Sequence, residues 1–364
     1  MDHTSINQII IDIMVVFALL GAVDRIIGGR FGLWDKMEEG IGAMGALFVG
    51  MAGFISLAPV LAELLAPVVV PVYEMLGADP AMFAGTLFGI DMGGYPVALE
   101  MAQSTAAGQF AGVILASMMG VTIVFTIPFA LNAVAKEDMS YLATGVLCGV
   151  ITIPFGCFVG GLVAGFDMGM VLRNLVPIII VAALIAIGLA IIPNGMIRGF
   201  EIFGKFMIII ATVGLIASIV ETLTGIVLIP GMAPLSDSIA TVGAIAIVLA
   251  GAYPMVEVVI KVFGKPLKAV GEKLGINEIA TAGLIATLAN SIPTFGFIKD
   301  MDTVGKTVNF AFMVSAAFVL GDHLGFVAGV DKTMMLPMIC GKLVAGILAV
   351  VLALFIAKRQ KNKQ

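Results

Sequence analysis

Apolar residues along this chain occur in long uninterrupted runs, separated by short polar loops. A helix that crosses a membrane needs about 20 predominantly apolar residues. Nine segments of the 364-residue chain meet this requirement. They lie at 8–28, 42–66, 108–132, 139–164, 168–193, 200–230, 238–263, 305–330 and 332–357. The pattern predicts an all-α membrane protein with about nine transmembrane helices.

Two further apolar stretches, 80–103 and 277–303, are each interrupted near the middle by Gly, Ser or Pro. Each arm has about 10 residues and so reaches about 15 Å, half of the hydrocarbon core. This length predicts two re-entrant hairpins. Glycine tolerates the backbone of a tight turn, and proline suits the first turn of a helix. The expected turn residues are Gly93, Gly94 and Pro96 in the first hairpin and Pro293 in the second.

A faint repeat relates the two halves of the chain at an offset of 198 residues. Leu76-Gly77 corresponds to Leu274-Gly275, and Ser117 corresponds to Ser315. An odd number of spans separates equivalent elements, so the halves have opposite orientations. Inverted repeats with a broken element in each half are typical of secondary transporters. We expect a first repeat at 8–164, a connecting helix at 168–193, a second repeat at 200–357 and a tail at 358–364.

Composition and charge agree with a membrane protein. The chain is 60% hydrophobic and 12% charged, with a mean hydropathy of +1.15, whereas soluble domains carry about 25% charged residues. A cytoplasmic C-terminus places almost all Lys and Arg of the loops inside and leaves only Arg173 and Lys332 outside. The positive-inside rule favours this orientation. It predicts a membrane protein with its N-terminus outside, its first hairpin entering from outside and its second from the cytoplasm.

Polar residues at the hairpin tips are the main candidates for a binding site. Asp91 is a carboxylate near the membrane midplane, where charges are rare and usually functional. It suits an ammonium group, although it could instead cap the second arm. Asn290 and Ser291 suit a hydroxyl-bearing solute or bond each other to close their turn. The remaining candidates near the tips are Tyr95, Met92 and Thr294.

"GDHLGF" (321–326) places Asp322 and His323 inside an apolar span. Adjacent residues do not face each other on a straight helix, so a direct relay between them requires an unwound helix. Lys342, in the last span, is expected to be a counter-ion to a carboxylate such as Asp322, or to replace a cationic substrate in the empty site. "GAYPMVE" (251–257) is expected to break its helix and brings Glu257 into consideration.

Several functions lack any signal in the sequence. There is no Walker A motif, metal-ligand cluster, CxxC or nucleophile elbow, so we expect neither an enzyme nor a cofactor, a metal or a nucleic-acid partner. Small residues four apart in "GCFVGGLVAG" (156–165) suit close helix packing or a homodimer.

Several long blocks, "APVLAELLAPVVVPVYEMLGADPAMFAGTL", "DMGG", "GAYPMV", "ATLANSIP", "KDMDTVGK" and "SAAFVLGDHLGF", closely resemble the ethanolamine-utilisation transporter family, EutH. The resemblance runs from about residue 8 to 355. It implies a permease for ethanolamine in the inner membrane. Uniport and coupling to protons or sodium remain open. The alternatives are a coupled carrier of another small polar solute and, from another class, a membrane sensor or channel.

Overall fold

The computed structural model describes residues 3–361, apart from the side chains of 3–5, 197, 263–265, 267, 268, 270, 360 and 361. Within this part of the chain every regular element is a helix. The helices are α1 (His3–Ile26), α2 (Leu33–Met75), α3 (Ala81–Leu87), α4 (Tyr95–Met101), α5 (Thr105–Ala133), α6 (Met139–Val163), α7 (Met168–Ile191), α8 (Pro193–Thr224), α9 (Leu235–Leu274), α10 (Glu278–Ala289), α11 (Ile292–Phe297), α12 (Thr303–Ala316), α13 (Asp322–Val330) and α14 (Met335–Lys361). Residues 362–364 of the predicted tail lie outside the described residues.

Eight helices of the described chain are long and apolar enough to cross a membrane. This confirms the prediction of an all-α, multi-pass membrane protein. The ninth predicted span, 305–330, was wrong as a single helix, because it is divided into α12 and α13 by a non-helical segment at 317–321. Phe318 has a positive φ of 64° there. Mean hydropathy over 305–330 does not reveal such a break, because the apolar residues on either side outweigh Asp322 and His323.

Helices α2 and α9 are much longer than the segments 42–66 and 238–263 that hydropathy selects. They contain 43 and 40 residues, so each is about 60 Å long, twice the thickness of the hydrocarbon core. The predicted break at 251–257 was also wrong, because α9 is continuous there. Gly251 serves another purpose. A Cβ atom at this position would lie 2.2 Å from the carbonyl oxygen of Met14, so the glycine lets α1 approach α9 closely.

Both predicted hairpins are helix–break–helix units. Helices α3 and α4 form the first, and α10 and α11 form the second. The carboxylate of Asp79 closes the base of the first by accepting the N–H groups of Ala81 and Gln103, at 2.9 and 3.0 Å. Burial raises the pKa of Asp79, and these hydrogen bonds offset part of that rise. Asn277 closes the second base, because its N–H donates to Asp302 at 2.8 Å.

Hydrogen bonds between loops show which helix ends lie on the same face of the molecule. On the face that contains Asn7, here called the N-face, Asp79 N–H donates to Asn174 at 2.7 Å. On the same face Gln109 donates to Asp331 at 2.7 Å. Lys306, in the first turn of α12, pairs at 2.6 Å with Asp138, which lies beyond the other end of α5. The bases of α12 and of the second hairpin, joined through Asp302 and Asn277, therefore lie on the other face, here called the opposite face. The two hairpins therefore enter the molecule from opposite faces.

Two groups of helices flank the hairpins. One group consists of α1, α2, α8 and α9, and the other includes α5, α6, α7, α12 and α14. Glycines bring helices together within each group. Cβ atoms at Gly53 and Gly156 would lie 1.8 Å from the Ala211 carbonyl oxygen and 2.6 Å from the Gly341 carbonyl oxygen. The small residues of 156–165 thus include positions that pack α6 on α14 within one protomer.

Candidate functional site

The tip of the first hairpin is a strained turn that carries Asp91. Gly93 has a φ of 91°, and a Cβ atom there would lie 2.8 Å from the Phe54 ring. A Cβ atom at Gly94 would lie 2.5 Å from the carbonyl oxygen of Phe88. The turn also includes Met92, whose φ and ψ of −121° and 47° are not helical. Glycine is therefore required by both conformation and space, and the helical backbone is interrupted where Asp91 lies.

Asp91 has an unusual environment for a carboxylate inside a helical membrane protein. Its Oδ1 atom is buried and has no hydrogen-bond partner among the described residues. Helix α4 begins at Tyr95 without a side-chain cap, with Pro96 in its first turn. The capping role considered for Asp91 is therefore not seen. The open oxygen is free to accept a hydrogen bond from a ligand.

The tip of the second hairpin contains one half-buried amide and one buried hydroxyl. Asn290 accepts the N–H of Ile292 at 2.8 Å and so organises the turn, and Pro293 follows in the first turn of α11. The Oγ atom of Ser291 is buried and unpartnered within the described structure. The two side chains do not bond each other. Thr294 instead holds the arms together, through the hydroxyl of Thr287 at 3.0 Å.

The break between α12 and α13 lies against the end of α10. The N–H groups of Phe318 and Leu320 donate to the carbonyl oxygens of Thr287 and Leu288, at 3.0 and 2.8 Å. A Cβ atom at Gly321 would lie 2.0 Å from the carbonyl oxygen of Ala289. Asp322 and His323 follow this glycine directly, so the break brings them beside the tip of the second hairpin.

Asp322 and His323 do not form a relay, even though the helix is unwound before them. The hydroxyl of Tyr253, on α9, donates to Asp322 Oδ1 at 2.5 Å. His323 is 1% exposed, and its Nδ1 atom has no partner in the described structure. Sequence reasoning missed Tyr253. The signal was present, since Tyr253 is one of four tyrosines in the chain and lies inside an apolar span.

Lys342 is fully buried in α14, where its ammonium group donates to the carbonyl oxygen of Ser117 at 2.5 Å. It does not form the expected salt bridge with Asp322, whose partner is Tyr253. The part of α5 that contains Ser117 also packs against the turn at 90–94, which carries Asp91. Helix α13, which begins with Asp322 and His323, packs against the same turn. Four ionisable groups from three separate elements thus share one buried region.

Tyr95 and Phe326 mark the edge of this region toward the N-face. Their rings meet edge to face, with centroids 5.7 Å apart and an interplanar angle of 81°. The turn at 90–94 also packs against α13. Asp91 and Tyr95 on the first hairpin therefore run beside Asp322 and Phe326 on α13.

Two clefts approach this region from opposite faces. The one on the opposite face has a volume of about 180 Å³ and is lined by Tyr253 and Asn290 and by the charged side chains of Lys36, Glu39 and Glu257. The one on the N-face has a volume of about 420 Å³ and reaches Tyr95 and Phe326. Ile55 lines the N-face cleft, 16 residues beyond Glu39 on α2, so the clefts are separated by about 24 Å along that helix.

This arrangement is suited to a small polar cation. A buried carboxylate oxygen without a donor favours an ammonium group, since a charge-assisted hydrogen bond would satisfy it. A buried hydroxyl such as that of Ser291 offers both a donor and an acceptor. No cluster of His, Cys, Asp and Glu able to hold a metal ion occurs in the part of the chain that was described.

Comparison with known proteins decides the family. The family model "Ethanolamine utilisation protein, EutH" matches residues 6–356. This chain belongs to the EutH family. A probable ethanolamine permease EutH of Listeria monocytogenes is 60% identical over 99% of this chain and 96% of its own length. A probable ethanolamine permease EutH of Escherichia coli is 48% identical over 98% of this chain and 96% of its own length. No solved structure matches.

A third relative has a name that states no function. The uncharacterized protein YxeR of Bacillus subtilis is 49% identical to this chain over 99% of the chain and 97% of its own length. The family model matches residues 6–356, which include the two hairpins, the break before Asp322 and the part of the last helix that contains Lys342. All the elements that build the candidate site lie inside the matched region.

Proposed function

We propose that this chain is a membrane permease that carries ethanolamine into the cytoplasm by alternating access. The observation that carries the proposal is the open carboxylate oxygen of Asp91, buried at a helix break between two clefts. Membership of the EutH family and the names of its relatives suggest the substrate. The protein is a carrier and not an enzyme.

The polar groups at the hairpin tips are complementary to the ammonium and hydroxyl groups of ethanolamine. Its ammonium group binds Asp91, because a protonated amine taken from water needs a negative partner in a low-dielectric site. Tyr95 contributes an aromatic face to the same cation. The hydroxyl group of the substrate is received on the side of the second hairpin, where the hydroxyl of Ser291 lacks a partner.

The positions of the clefts support alternating access. Tyr95 and Phe326 close the site toward the N-face, while Asn290 and Tyr253 lie at the inner end of the other cleft. Movement of the hairpins and α13 against the group formed by α1, α2, α8 and α9 opens one cleft and closes the other. The two halves of the chain act as inverted repeats in this movement, since repeats of this kind place the site where their broken elements meet.

In the proposed orientation the N-face lies outside the cell and the opposite face lies in the cytoplasm. The positive-inside rule supports it, because the loops of the opposite face carry nearly all the lysines and arginines. The protein then resides in the inner membrane of a bacterium. In this orientation the larger cleft, which ends at Tyr95, admits substrate from outside.

Uptake of labelled ethanolamine by purified protein in proteoliposomes tests the proposal. Saturable uptake and counterflow from preloaded vesicles are expected, with protein-free vesicles as the control for leakage of the neutral amine. Binding without transport would indicate a sensor, and flux without saturation or counterflow would indicate a channel. Transport of another small polar solute in preference to ethanolamine would refute the substrate assignment.

A further inference from the structure

Helix α13 packs against α9 through two glycines. A Cβ atom at Gly325 would lie 2.3 Å from Cδ2 of Leu249, and one at Gly329 would lie 2.9 Å from Cγ1 of Ile245. The residue numbers rise along α13 as they fall along α9, so the two helices are antiparallel. This close contact is apolar, and it occupies the part of α13 that is nearer the N-face.

A polar contact continues the same interface toward the opposite face. Tyr253 follows Leu249 by four residues on α9 and so lies on the same side of that helix. Its hydroxyl donates to Oδ1 of Asp322, in the first turn of α13, at 2.5 Å. Tyr253 lines the cleft of the opposite face, whereas Asp322 does not. The tyrosine therefore lies between that cleft and the carboxylate.

Asp322 also lies beside the proposed ammonium site. It precedes Phe326 by four residues, and Phe326 meets the ring of Tyr95 on the first hairpin. The turn at 90–94, which carries Asp91, packs against α13. Both carboxylates thus lie inward of the aromatic pair. Oδ1 of Asp91 is open in the described structure, whereas Oδ1 of Asp322 is occupied by the tyrosine hydroxyl.

The two partners of this hydrogen bond belong to the two parts that move against each other in the proposed transport cycle. The N–H groups of Phe318 and Leu320 donate to carbonyl oxygens at the end of α10, so Asp322 moves with the second hairpin. Tyr253 is part of α9, in the group against which the hairpins move. Opening the cleft of the opposite face therefore separates Tyr253 from Asp322 and leaves the carboxylate in need of another donor.

We propose, resting on the permease function above, that Asp322 is a second acceptor for the substrate ammonium and that Tyr253 covers it until the cleft of the opposite face opens. The ammonium first binds Asp91 while the bond between Tyr253 and Asp322 is intact. When the cleft opens, the ammonium replaces the tyrosine hydroxyl on Asp322 and then leaves. A primary ammonium has three N–H donors and can contact both carboxylates during this transfer.

The experiment measures half-saturation of ethanolamine flux at each face separately, in right-side-out and inside-out membrane vesicles. Thiol labelling of Thr105→Cys, exposed at the start of α5 beside the base of the first hairpin, identifies vesicles that present the N-face. Vesicles without the protein measure leakage of the neutral amine. Asp322→Asn keeps an oxygen that accepts the Tyr253 hydroxyl and removes the charge. Half-saturation should rise about 10- to 150-fold at the opposite face and stay within about twofold at the N-face.

Tyr253→Phe should change the same quantity in the other direction. The substrate no longer displaces a hydroxyl from Asp322, so half-saturation at the opposite face should fall about tenfold or more. A purely structural hydrogen bond would not produce opposite shifts in the two variants. Glu272→Gln is the control, because Glu272 is an exposed carboxylate at the end of α9. Both of its half-saturation values should stay within about twofold of wild type.

Each outcome decides the proposal. An unchanged value at the opposite face in Asp322→Asn would overturn the second acceptor. An equal rise at both faces would overturn the transfer, because Asp322 would then act together with Asp91 in a single site. If Asp322→Asn does not fold, Tyr253→Phe decides, and a value that is unchanged or higher at the opposite face would overturn the cover. Absence of saturable flux in the wild-type protein would instead refute the permease function.

Discussion

Replacing Asp91 by asparagine tests the proposed partner of the substrate ammonium. Asp91→Asn preserves the size of the side chain and removes its charge. The open Oδ1 atom has no protein donor in the described structure, so the bond lost is the one made to substrate. A hydrogen bond to a charged group contributes about 1.5–3 kcal/mol. At about 1.4 kcal/mol per factor of ten, half-saturation of uptake should shift about 10- to 150-fold higher.

The assay is the initial rate of ethanolamine uptake as a function of its concentration. Glu100→Gln is the matched control, because Glu100 is an exposed carboxylate on the same hairpin and lines the N-face cleft. Its half-saturation should stay within about twofold of wild type, since exposed charges interact weakly. Thermal unfolding should show Asp91→Asn to be folded. Unchanged uptake kinetics in a folded Asp91→Asn protein would refute the assignment.

Three further predictions concern the supports of the site. Gly93→Ala should lower the unfolding temperature, because a positive φ costs an alanine about 1–2 kcal/mol and overpacking costs about 1–3 kcal/mol. An unchanged unfolding temperature would contradict the turn geometry. Tyr253→Phe removes the hydroxyl donor of Asp322 and should cost about 1–3 kcal/mol in denaturant unfolding, because it leaves a buried acceptor without that bond; an unchanged unfolding midpoint would show that this bond is dispensable. Lys306→Met leaves Asp138 buried and unpaired, which should cost about 3–5 kcal/mol in denaturant unfolding. Adding Asp138→Asn should recover much of that loss, and failure to do so would argue against the pair.

The fold was largely predictable because its main determinant is hydrophobic length. Runs of about 20 apolar residues located the spans, and glycine and proline located both hairpin turns. Hydropathy could not locate the break at 317–321. That break depends on hydrogen bonds from Phe318 and Leu320 to the end of α10. These are long-range contacts that no local pattern encodes.

The sequence indicates the candidate residues of the site more readily than it indicates which groups they contact. Polar groups in apolar spans are rare, so the sequence selects Asp91, Ser291, Asp322, His323 and Lys342 as candidates. The first four lie at helix breaks, whereas Lys342 lies inside the continuous helix α14. Their partners depend on how helices pack. Tyr253 comes from a helix 69 residues away in sequence from Asp322, and Lys342 reaches a carbonyl oxygen 225 residues away.

Counterflow of labelled ethanolamine tests the central claim most directly. Proteoliposomes are preloaded with unlabelled ethanolamine, diluted into a trace of the labelled compound, and compared with protein-free vesicles. The account predicts a transient, saturable accumulation of label that Asp91→Asn shifts to higher concentrations. Entry of label that shows neither overshoot nor dependence on the protein would contradict a carrier for ethanolamine.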